Sequence, residues 1–210
     1  MNKYNSNHHF DPQSPVLVDG ESVLWSGKPK KNAFIVNRIF AMMPIALIWL
    51  ALDSFALTQM FSAGTQMLSF LVPFMFLHLF PVWLWLGNAL TANKAWQNTT
   101  YYVTDRRILI QSGVFSQDAQ SIYYKDIRNV DLRIGLIDRM LGVGDIYFDL
   151  GHYISNNKSK QLGKAFLDLE NPNEVYRKIQ KIVMDIQTDI HFPNAYRPEE
   201  NPGYTTKYKG

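Results

Sequence analysis

The sequence predicts a transmembrane α-helical hairpin followed by a small β-barrel or sandwich that a C-terminal α-helix caps. Two runs, residues 39–57 and 67–90, are nearly uncharged, and each is long enough to cross a hydrocarbon core of about 30 Å as a helix. Residues 104–148 instead alternate apolar and polar side chains, which indicates β-strands. A helical apolar period returns after residue 171 and predicts the capping helix.

Composition narrows the class of protein. The 210 residues are 47% hydrophobic and 14% aromatic, which excludes a mainly disordered chain. The formal net charge of +3 is too small to indicate nucleic-acid binding. Cysteine is absent, so a disulfide framework, a thiolate zinc site and a cysteine nucleophile are excluded. This composition suits a domain that faces the cytoplasm.

The segment before the first apolar run has two parts. Residues 1–14 are polar without an apolar signal segment, and we expect a flexible tail. Residues 15–38 are predicted to be a juxtamembrane arm that lies against lipid headgroups or against the β-domain, with Trp25 as its anchor. The arm carries four basic residues, Lys28, Lys30, Lys31 and Arg38. Each would add about 1 kcal/mol of attraction to an anionic leaflet, or, as we favour, they only orient the hairpin.

The hairpin is predicted to have a first transmembrane helix at 39–57, a non-cytoplasmic connector at 58–66 and a second transmembrane helix at 67–90. Two buried helices of a soluble protein are the alternative, but runs this close together are hard to bury in a small domain. Basic residues flank the hairpin on both sides, whereas the connector has no charge. Lys and Arg accumulate on the cytoplasmic side, so the chain is predicted to be integral to the inner (cytoplasmic) membrane with both termini cytoplasmic.

Two ionisable residues, Asp53 and His78, lie within the predicted transmembrane helices. Such residues are expensive in lipid and often functional. Asp53 lies four residues before the end of the first predicted helix, and His78 lies eleven residues into the second. At these unequal depths we do not expect direct contact. Asp53 is interpreted as an interfacial carboxylate and His78 as a neutral imidazole bonded between helices, with a proton-relay or ligand role as the alternative.

The β-domain, residues 94–190, is predicted from apolar residues that recur with a period of two. They are Ile108, Ile110, Ile122, Tyr124, Val130, Leu132, Ile134, Ile146, Phe148 and Leu150. Ile127 is out of phase with this set, which predicts a bulge or a strand start near Arg128. Residues 150–164 are predicted to form a loop, and the strand after it places Leu167 and Leu169 on one face.

A helix is predicted to begin after Asn171, because Asn171, Pro172 and Glu174 form a typical N-terminal capping pattern. Its apolar stripe consists of Val175, Ile179, Ile182, Ile186 and Ile190. Residues 191–210 are rich in Pro, Tyr and Lys, and we expect a second flexible tail there.

Three ordered blocks of the β-domain resemble the bacterial pleckstrin-homology-like (PH-like) family, which is often fused to membrane helices. They are residues 102–108 (YVTDRRI) leading to Gly113, residues 124–130 (YKDIRNV) and residues 141–146 (LGVGDI). Residues 20–29 (GESVLWSGKP) are similar to the segment that such proteins carry before their helices. The resemblance covers most of residues 15–190. It implies a PH-like barrel closed by a C-terminal helix, and binding rather than catalysis.

No catalytic motif is present in the sequence. There is no GxxxxGK[ST] phosphate loop, no HExxH and no GxSxG, and residues 142–147 lack the third glycine of a dinucleotide fingerprint. His8 and His9 lack two further ligands at fixed spacing. We therefore predict a protein that is not an enzyme, with no catalytic residue, cofactor or metal.

Residues 134–141 form a short amphipathic piece, which is interpreted as a barrel lid or as a contact with a partner or membrane. The candidate partner or lipid contacts are Arg128, Arg133, Arg139, Leu136 and Met140. Asp residues alternate with the basic ones, and the first hairpin loop, 112–119, has only Asp118 as a charge. Phosphoinositide-binding PH domains cluster Lys and Arg around that hairpin, so this departure disfavours phosphoinositide binding.

These observations predict a non-enzymatic, membrane-anchored interaction module. Its partners would be membrane lipids, a membrane or cytoplasmic protein, or further copies of the chain, and not nucleic acid. An alternative is a transport or channel-like role in which assembled hairpins use Asp53 or His78. A third hypothesis is a membrane enzyme without a recognisable motif.

Overall fold

The computed structural model describes residues 14–63, 68–155 and 158–191 of the chain, so most of the two predicted tails lies outside the described residues. The described residues belong to two compact units. We call residues 14–30 together with those from 97 onward the β-unit, and residues 31–96 the helical unit. The predicted arm of residues 15–38 is divided between them, because only residues after 30 belong to the helical unit.

The β-unit contains two antiparallel sheets. The first has the strand order β1 (Val23–Gly27), β2 (Thr100–Thr104), β3 (Arg107–Ser112) and β4 (Asp118–Tyr123). The second has the order β5 (Asn129–Arg133), β6 (Val143–Ser155) and β7 (Lys158–Glu170). A 3₁₀ turn, Tyr124–Asp126, joins the sheets, and a short helix spans Leu136–Leu141 between β5 and β6. The C-terminal helix spans Pro172–His191.

The helices are numbered in chain order: α1 (Lys31–Ala63), α2 (Leu68–His78), α3 (Phe80–Gln97), α4 (Leu136–Leu141) and α5 (Pro172–His191). The core of the β-unit lies between the two sheets and α5. Its fully buried side chains include Ile108, Ile122, Ile146, Phe148, Phe166, Ile179 and Ile186. The predicted antiparallel strands and C-terminal helix are therefore confirmed. Strand β5 begins at Asn129, which agrees with the strand start predicted from the phase of Ile127.

The second sheet differs from the prediction in two places. Residues 150–164 continue β6 and β7 on either side of residues 156 and 157, which are not described. Their polar residues carry no apolar period, so the sequence pattern could not identify strands there. Leu167 is exposed while Phe166 and Leu169 are buried. A register shift between Phe166 and Leu169, with Asp168 at φ of 55°, turns both Phe166 and Leu169 inward.

In the helical unit, α1 continues to Ala63, so residues 58–63 are helical where a connector was predicted. No Gly or Pro occurs between Thr58 and Ala63 to end the helix. The predicted second transmembrane helix is divided into α2 and α3 at Leu79. Pro81 explains this break, because it has no N–H for the Leu77 carbonyl and its ring crowds that group.

Among the described residues, one helix is long and apolar enough to cross a membrane, Lys31–Gln59 within α1. Its 29 residues would measure about 43 Å at roughly 1.5 Å per residue. The helical unit has an unusually apolar exterior. Its exposed large side chains include Ile45, Ile48, Leu52, Phe55, Phe76, Leu77, Phe80 and Leu90.

Helix α1 runs antiparallel to α2 and α3. The Trp85 indole donates to the Ile39 carbonyl at 3.0 Å, and the Asn88 amide donates to the Arg38 carbonyl at 2.9 Å. Nearer the connector, the Trp49 indole donates to the His78 carbonyl at 2.8 Å. These bonds join earlier residues of α1 to later residues of α2 and α3, as antiparallel helices require.

Candidate functional site

The candidate site of the β-unit is built around α4. The Gly135 N–H donates to the Asp138 carboxylate at 2.9 Å, and the Arg139 N–H donates to the Gly135 carbonyl at 3.0 Å. The helix ends at Gly142, whose φ of 68° is the left-handed conformation that favours glycine. Only six residues are helical, so α4 depends on these end contacts for its shape.

Lys30 fixes the C-terminal end of α4 from a distant part of the sequence. Its Nζ donates to the Leu141 carbonyl at 3.1 Å and lies 3.3 Å from the Glu170 carboxylate. The Lys30 N–H donates to the Asp168 carbonyl at 2.7 Å. The segment before α1 therefore helps to hold α4 against the end of β7.

Helix α4 presents apolar side chains to solvent. Leu136 is 83% exposed and Met140 is 87% exposed, with Ile137 at 51%. Arg139 is also exposed. We call Leu136, Ile137, Arg139 and Met140 the α4 surface. Large apolar side chains grouped at a surface typically mark a site of contact with a protein or a membrane.

An open cavity of about 570 Å³ adjoins the α4 surface. It is lined by Ile134, Arg139, Gly142, Val143 and the first residues of α5, from Asn171 to Glu174, with Arg177 one turn on. Gly144 allows the cavity walls to meet, because a Cβ there would lie 2.8 Å from Pro172 and 3.0 Å from Ile134. The lining contains two guanidinium groups, of Arg139 and Arg177, and one carboxylate, of Glu174, so the cavity is basic.

Arg133 lies beside α4 but is held by aromatic and acidic neighbours. Its guanidinium lies 4.1 Å from the centre of the Tyr147 ring, a cation–π contact. Burial raises the pKa of the Asp145 carboxyl, and Asp138 raises it further, while Arg133 and the Asp168 N–H act in the opposite direction. Arg133 therefore serves partly to offset the acidic groups around β6.

Arg128 does not lie near the α4 surface. It precedes the first residue of β5 whereas Arg133 is the last, a separation of roughly 17 Å at about 3.4 Å per residue. Its guanidinium packs on Gly151, where a Cβ would lie 2.7 Å from the Arg128 Nε. The structure thus groups Arg139, Leu136 and Met140, places Arg133 nearby and places Arg128 at the far end of the strand.

The four basic residues of the predicted arm make contacts within their own units. Lys28 donates to the Gln97 carbonyl at 3.0 Å, and Lys30 holds α4 as described. Lys31 lies 5.2 Å from the centre of the Trp96 ring, and the Arg38 carbonyl accepts the Asn88 amide. Lys28 and Lys30 therefore have structural contacts in the β-unit, besides any role in orienting a hairpin.

The prediction that Asp53 and His78 do not meet is wrong. His78 Nδ1 lies 2.8 Å from Asp53 Oδ1. The predicted helix ends caused the error, because α1 ends at Ala63 rather than Leu57 and α2 begins at Leu68. Asp53 lies ten residues before the end of α1, and His78 lies ten residues after the start of α2, so the two side chains reach the same level.

A buried ionic network was not identified from the sequence. The Arg107 guanidinium donates to both Glu21 carboxylate oxygens at 3.0 Å, and the Thr104 hydroxyl donates to Glu21 at 2.7 Å. Burial alone would raise the pKa of Glu21, but hydrogen bonds from Arg107, Val18 and Thr104 lower it. The signal was available, since Glu21 and Arg107 both lie in the blocks that carried the family resemblance.

The comparisons with known proteins point to one family. The family model described as "Bacterial PH domain" matches residues 45–183, from within α1 to within α5. No curated protein matches, and no solved structure matches. The matched stretch covers more than half of the chain and includes most of both units. Together with the two antiparallel sheets and the closing helix, this match shows that the chain belongs to the bacterial PH domain family.

Proposed function

We propose that this protein is a non-enzymatic, membrane-anchored interaction module whose β-unit binds a protein partner, or another copy of the chain, through the α4 surface. The observation that carries the proposal is the exposure of Leu136 and Met140, at 83% and 87%, on a helix whose ends are held by Asp138 and Lys30. A rigid apolar projection loses little conformational entropy when it is buried by a partner. A PH-like fold suits such a role, because its edges and ends are open to partners.

Membrane anchoring is supported by the exterior of the helical unit. Helix α1 has the length and composition of a membrane span, and the exposed side chains of α2 and α3 are also predominantly apolar. In water such a surface would promote aggregation, whereas in lipid it is the expected surface. We propose that α1 crosses the inner membrane and that α2 and α3 return through it, with both termini in the cytoplasm.

Lipid headgroups are proposed to contribute to the contact through Arg139 and Arg177. Both line the cavity beside α4, so a phosphate could approach them there. The nearby Glu174, Asp138 and Asp145 oppose a strong single-sign field. We therefore assign the larger share of the binding to the apolar side chains, and a salt-sensitive share to the arginines.

Site-specific photocrosslinking in intact membranes tests the proposal. A photoreactive amino acid at Met140 is expected to give covalent adducts with a protein, and their mass separates a partner, a second copy and a lipid. Phe115 is the matched control, because it is 88% exposed on the loop between β3 and β4. Equal adducts at both positions, or only lipid adducts at Met140, would reject the α4 surface as a protein site.

Substitutions then separate the apolar and basic contributions. With the photoreactive group at Ile137, L136S combined with M140S should reduce the protein adduct at all salt concentrations. R139E should reduce it most at low salt, and R128E, the same change at the far end of β5, should not reduce it. The full chain is required, since β1 and Lys30 belong to the β-unit.

A second candidate function, transport by assembled helical units, is favoured by one observation. The Asp53 carboxylate is buried in contact with His78 inside an otherwise apolar unit, and such groups often mark ion or proton pathways. Flux of ions or small solutes into reconstituted vesicles tests it. No flux above that of empty vesicles, or equal flux in the parent, D53N and H78Q proteins, would reject transport.

A further inference from the structure

Asp53 and His78 form an isolated pair of ionisable groups in the helical unit. Their side chains meet at 2.8 Å, and the Asp53 side chain is only 5% exposed. The other charged side chains of residues 31–96 are Lys31, Arg38 and Lys94. Each is at least fifteen residues from the nearer member of the pair along its helix, or roughly 22 Å at about 1.5 Å per residue. No other charge of the helical unit is therefore positioned to balance Asp53.

The Asp53 side chain is enclosed, whereas the His78 side chain is 40% exposed and meets aromatic rings on part of its surface. The His78 ring stacks on Phe74 at 5.4 Å between ring centres and lies 5.3 Å from the Trp49 ring. Asp53 Oδ1 contacts His78, but Asp53 Oδ2 is buried and has no hydrogen-bond partner among the described residues. A bare carboxylate is costly at this buried position.

One proton on the pair removes this difficulty. The pair is then neutral overall, either as a carboxyl group with imidazole or as a carboxylate with imidazolium, and the 2.8 Å contact suits both arrangements. Without a proton the pair has a net negative charge, and with two protons it has a net positive charge. Each of these states places an unbalanced charge inside the helical unit.

The pair also lies at the break between α2 and α3. His78 is the last residue of α2, and the Val82 N–H donates to Leu79 rather than to His78. The His78 carbonyl is thereby released from the helix and accepts the Trp49 indole N–H at 2.8 Å. One residue thus connects α1 to the break through its side chain and through its backbone.

We propose that Asp53 and His78 constitute a proton-binding site that couples the protonation of the helical unit to the bend between α2 and α3. The singly protonated pair holds α1 against the end of α2. Release of that proton to water, or uptake of a second one, weakens the contact and leaves the break at Leu79 free to change its angle. The site requires neither a protein partner nor transported solute.

Spin labels across the unit test the coupling in the full-length protein in lipid vesicles. The chain has no cysteine, so cysteines introduced at the exposed Phe40 and Leu90 can be labelled without background. The distance distribution between the labels is expected to change at each pH where the nitrogen NMR signals of His78 change. H78Q identifies those signals among the five histidines of the chain. A distance distribution that stays constant while the His78 signals change would overturn the proposal.

Variants provide the second measurement. D53N and H78Q each leave a single ionisable member, so both should lose the change in distance over the pH range where the parent shows it. N88A is the control, because Asn88 also joins α1 to α3 but does not ionise, and it should retain the pH response. A D53N protein that responds to pH like the parent would overturn the assignment of the proton to the pair. The flux measurements do not depend on the spin-label distances. The transport hypothesis can therefore be rejected while the proton-binding site is retained.

Discussion

Arg107 binds Glu21 through two parallel hydrogen bonds of 3.0 Å, although 86 residues separate them in the sequence. The same guanidinium donates to the Val16 carbonyl at 3.0 Å and to the Ser121 hydroxyl at 2.9 Å. Next to it, Ser22 donates its N–H and its hydroxyl to the two oxygens of Asp105. These contacts attach the segment before the helices to the turn between β2 and β3.

Replacing Glu21 by Gln should strongly destabilise the β-unit. The Glu21 side chain is fully buried, and E21Q leaves Arg107 buried without its counter-charge, which typically costs about 3–5 kcal/mol. The free energy of unfolding, from denaturant titration followed by near-ultraviolet circular dichroism, measures the loss. R107K keeps the charge but not the paired hydrogen bonds, so it should cost less. A loss below about 1 kcal/mol for E21Q, typical of surface pairs, would contradict the buried assignment.

The same pair predicts how stability depends on pH. Hydrogen bonds from Arg107 and its neighbours lower the pKa of Glu21 below its ordinary value of 4.5. A lowered pKa means that the folded state binds the proton less readily than the unfolded chain. The contribution is therefore complete above pH 4.5 and is lost as the pH falls through the folded pKa. Unfolding titrations between neutral and acidic pH should show this loss, and E21Q should show a smaller one.

Gly144→Ala should destabilise the junction between β6 and α5. The new Cβ would lie 2.8 Å from Pro172 and 3.0 Å from Ile134, and relief of such crowding typically costs about 1–3 kcal/mol. Gly87→Ala is the matched control, because nothing lies within 4 Å of its Cβ position. Within α3 it should increase stability by up to about 1 kcal/mol. If Gly144→Ala and Gly87→Ala changed the thermal unfolding temperature equally, the predicted steric clash at Gly144 would be wrong.

Tyr101→Phe should destabilise the bulge of β7. The Tyr101 hydroxyl accepts the Leu167 N–H at 3.1 Å and donates to the Leu167 carbonyl at 3.4 Å. Without it, two backbone groups next to Asp168 lose their partner, at a cost of about 1–3 kcal/mol. Tyr176→Phe, which removes one hydrogen bond to the Val130 carbonyl, should cost less. Amide hydrogen exchange at Leu167 should be faster in Y101F than in the parent and unchanged in Tyr176→Phe. That result would show that the destabilisation arises at Leu167.

Apolar periodicity predicted β3, β5, parts of β4, β6 and β7, and the C-terminal helix of the β-unit, whereas β1 and β2 were not predicted as strands. Ile108, Ile146 and Phe148 are buried as expected, because burial on one face of a strand requires that alternation. Periodicity failed at Leu167, where a backbone irregularity changes the phase of the strand. It also failed over residues 150–164, whose sequence carries no apolar period.

The candidate site was only partly predictable. Leu136 and Met140 were identified because their apolar character in a short amphipathic piece is visible in the sequence. The contribution of Lys30 was not, since no local pattern indicates that its ammonium group caps α4. The contact between Asp53 and His78 was missed for a similar reason, because a few residues of error in a helix end alter which residues face each other across a hairpin.

The pairing of β1 with β2 determines the order in which the protein can be assembled. Gly27 lies opposite Tyr101 in the first sheet, and all of α1, α2 and α3 lie between them in the chain. A ribosome therefore completes the three helices before it supplies the strand that β1 needs. Until then β1 and the buried Glu21 that precedes it have no partner, so the three helices are complete before the first sheet closes. In this architecture, synthesis of the three helices precedes folding of the domain that they interrupt.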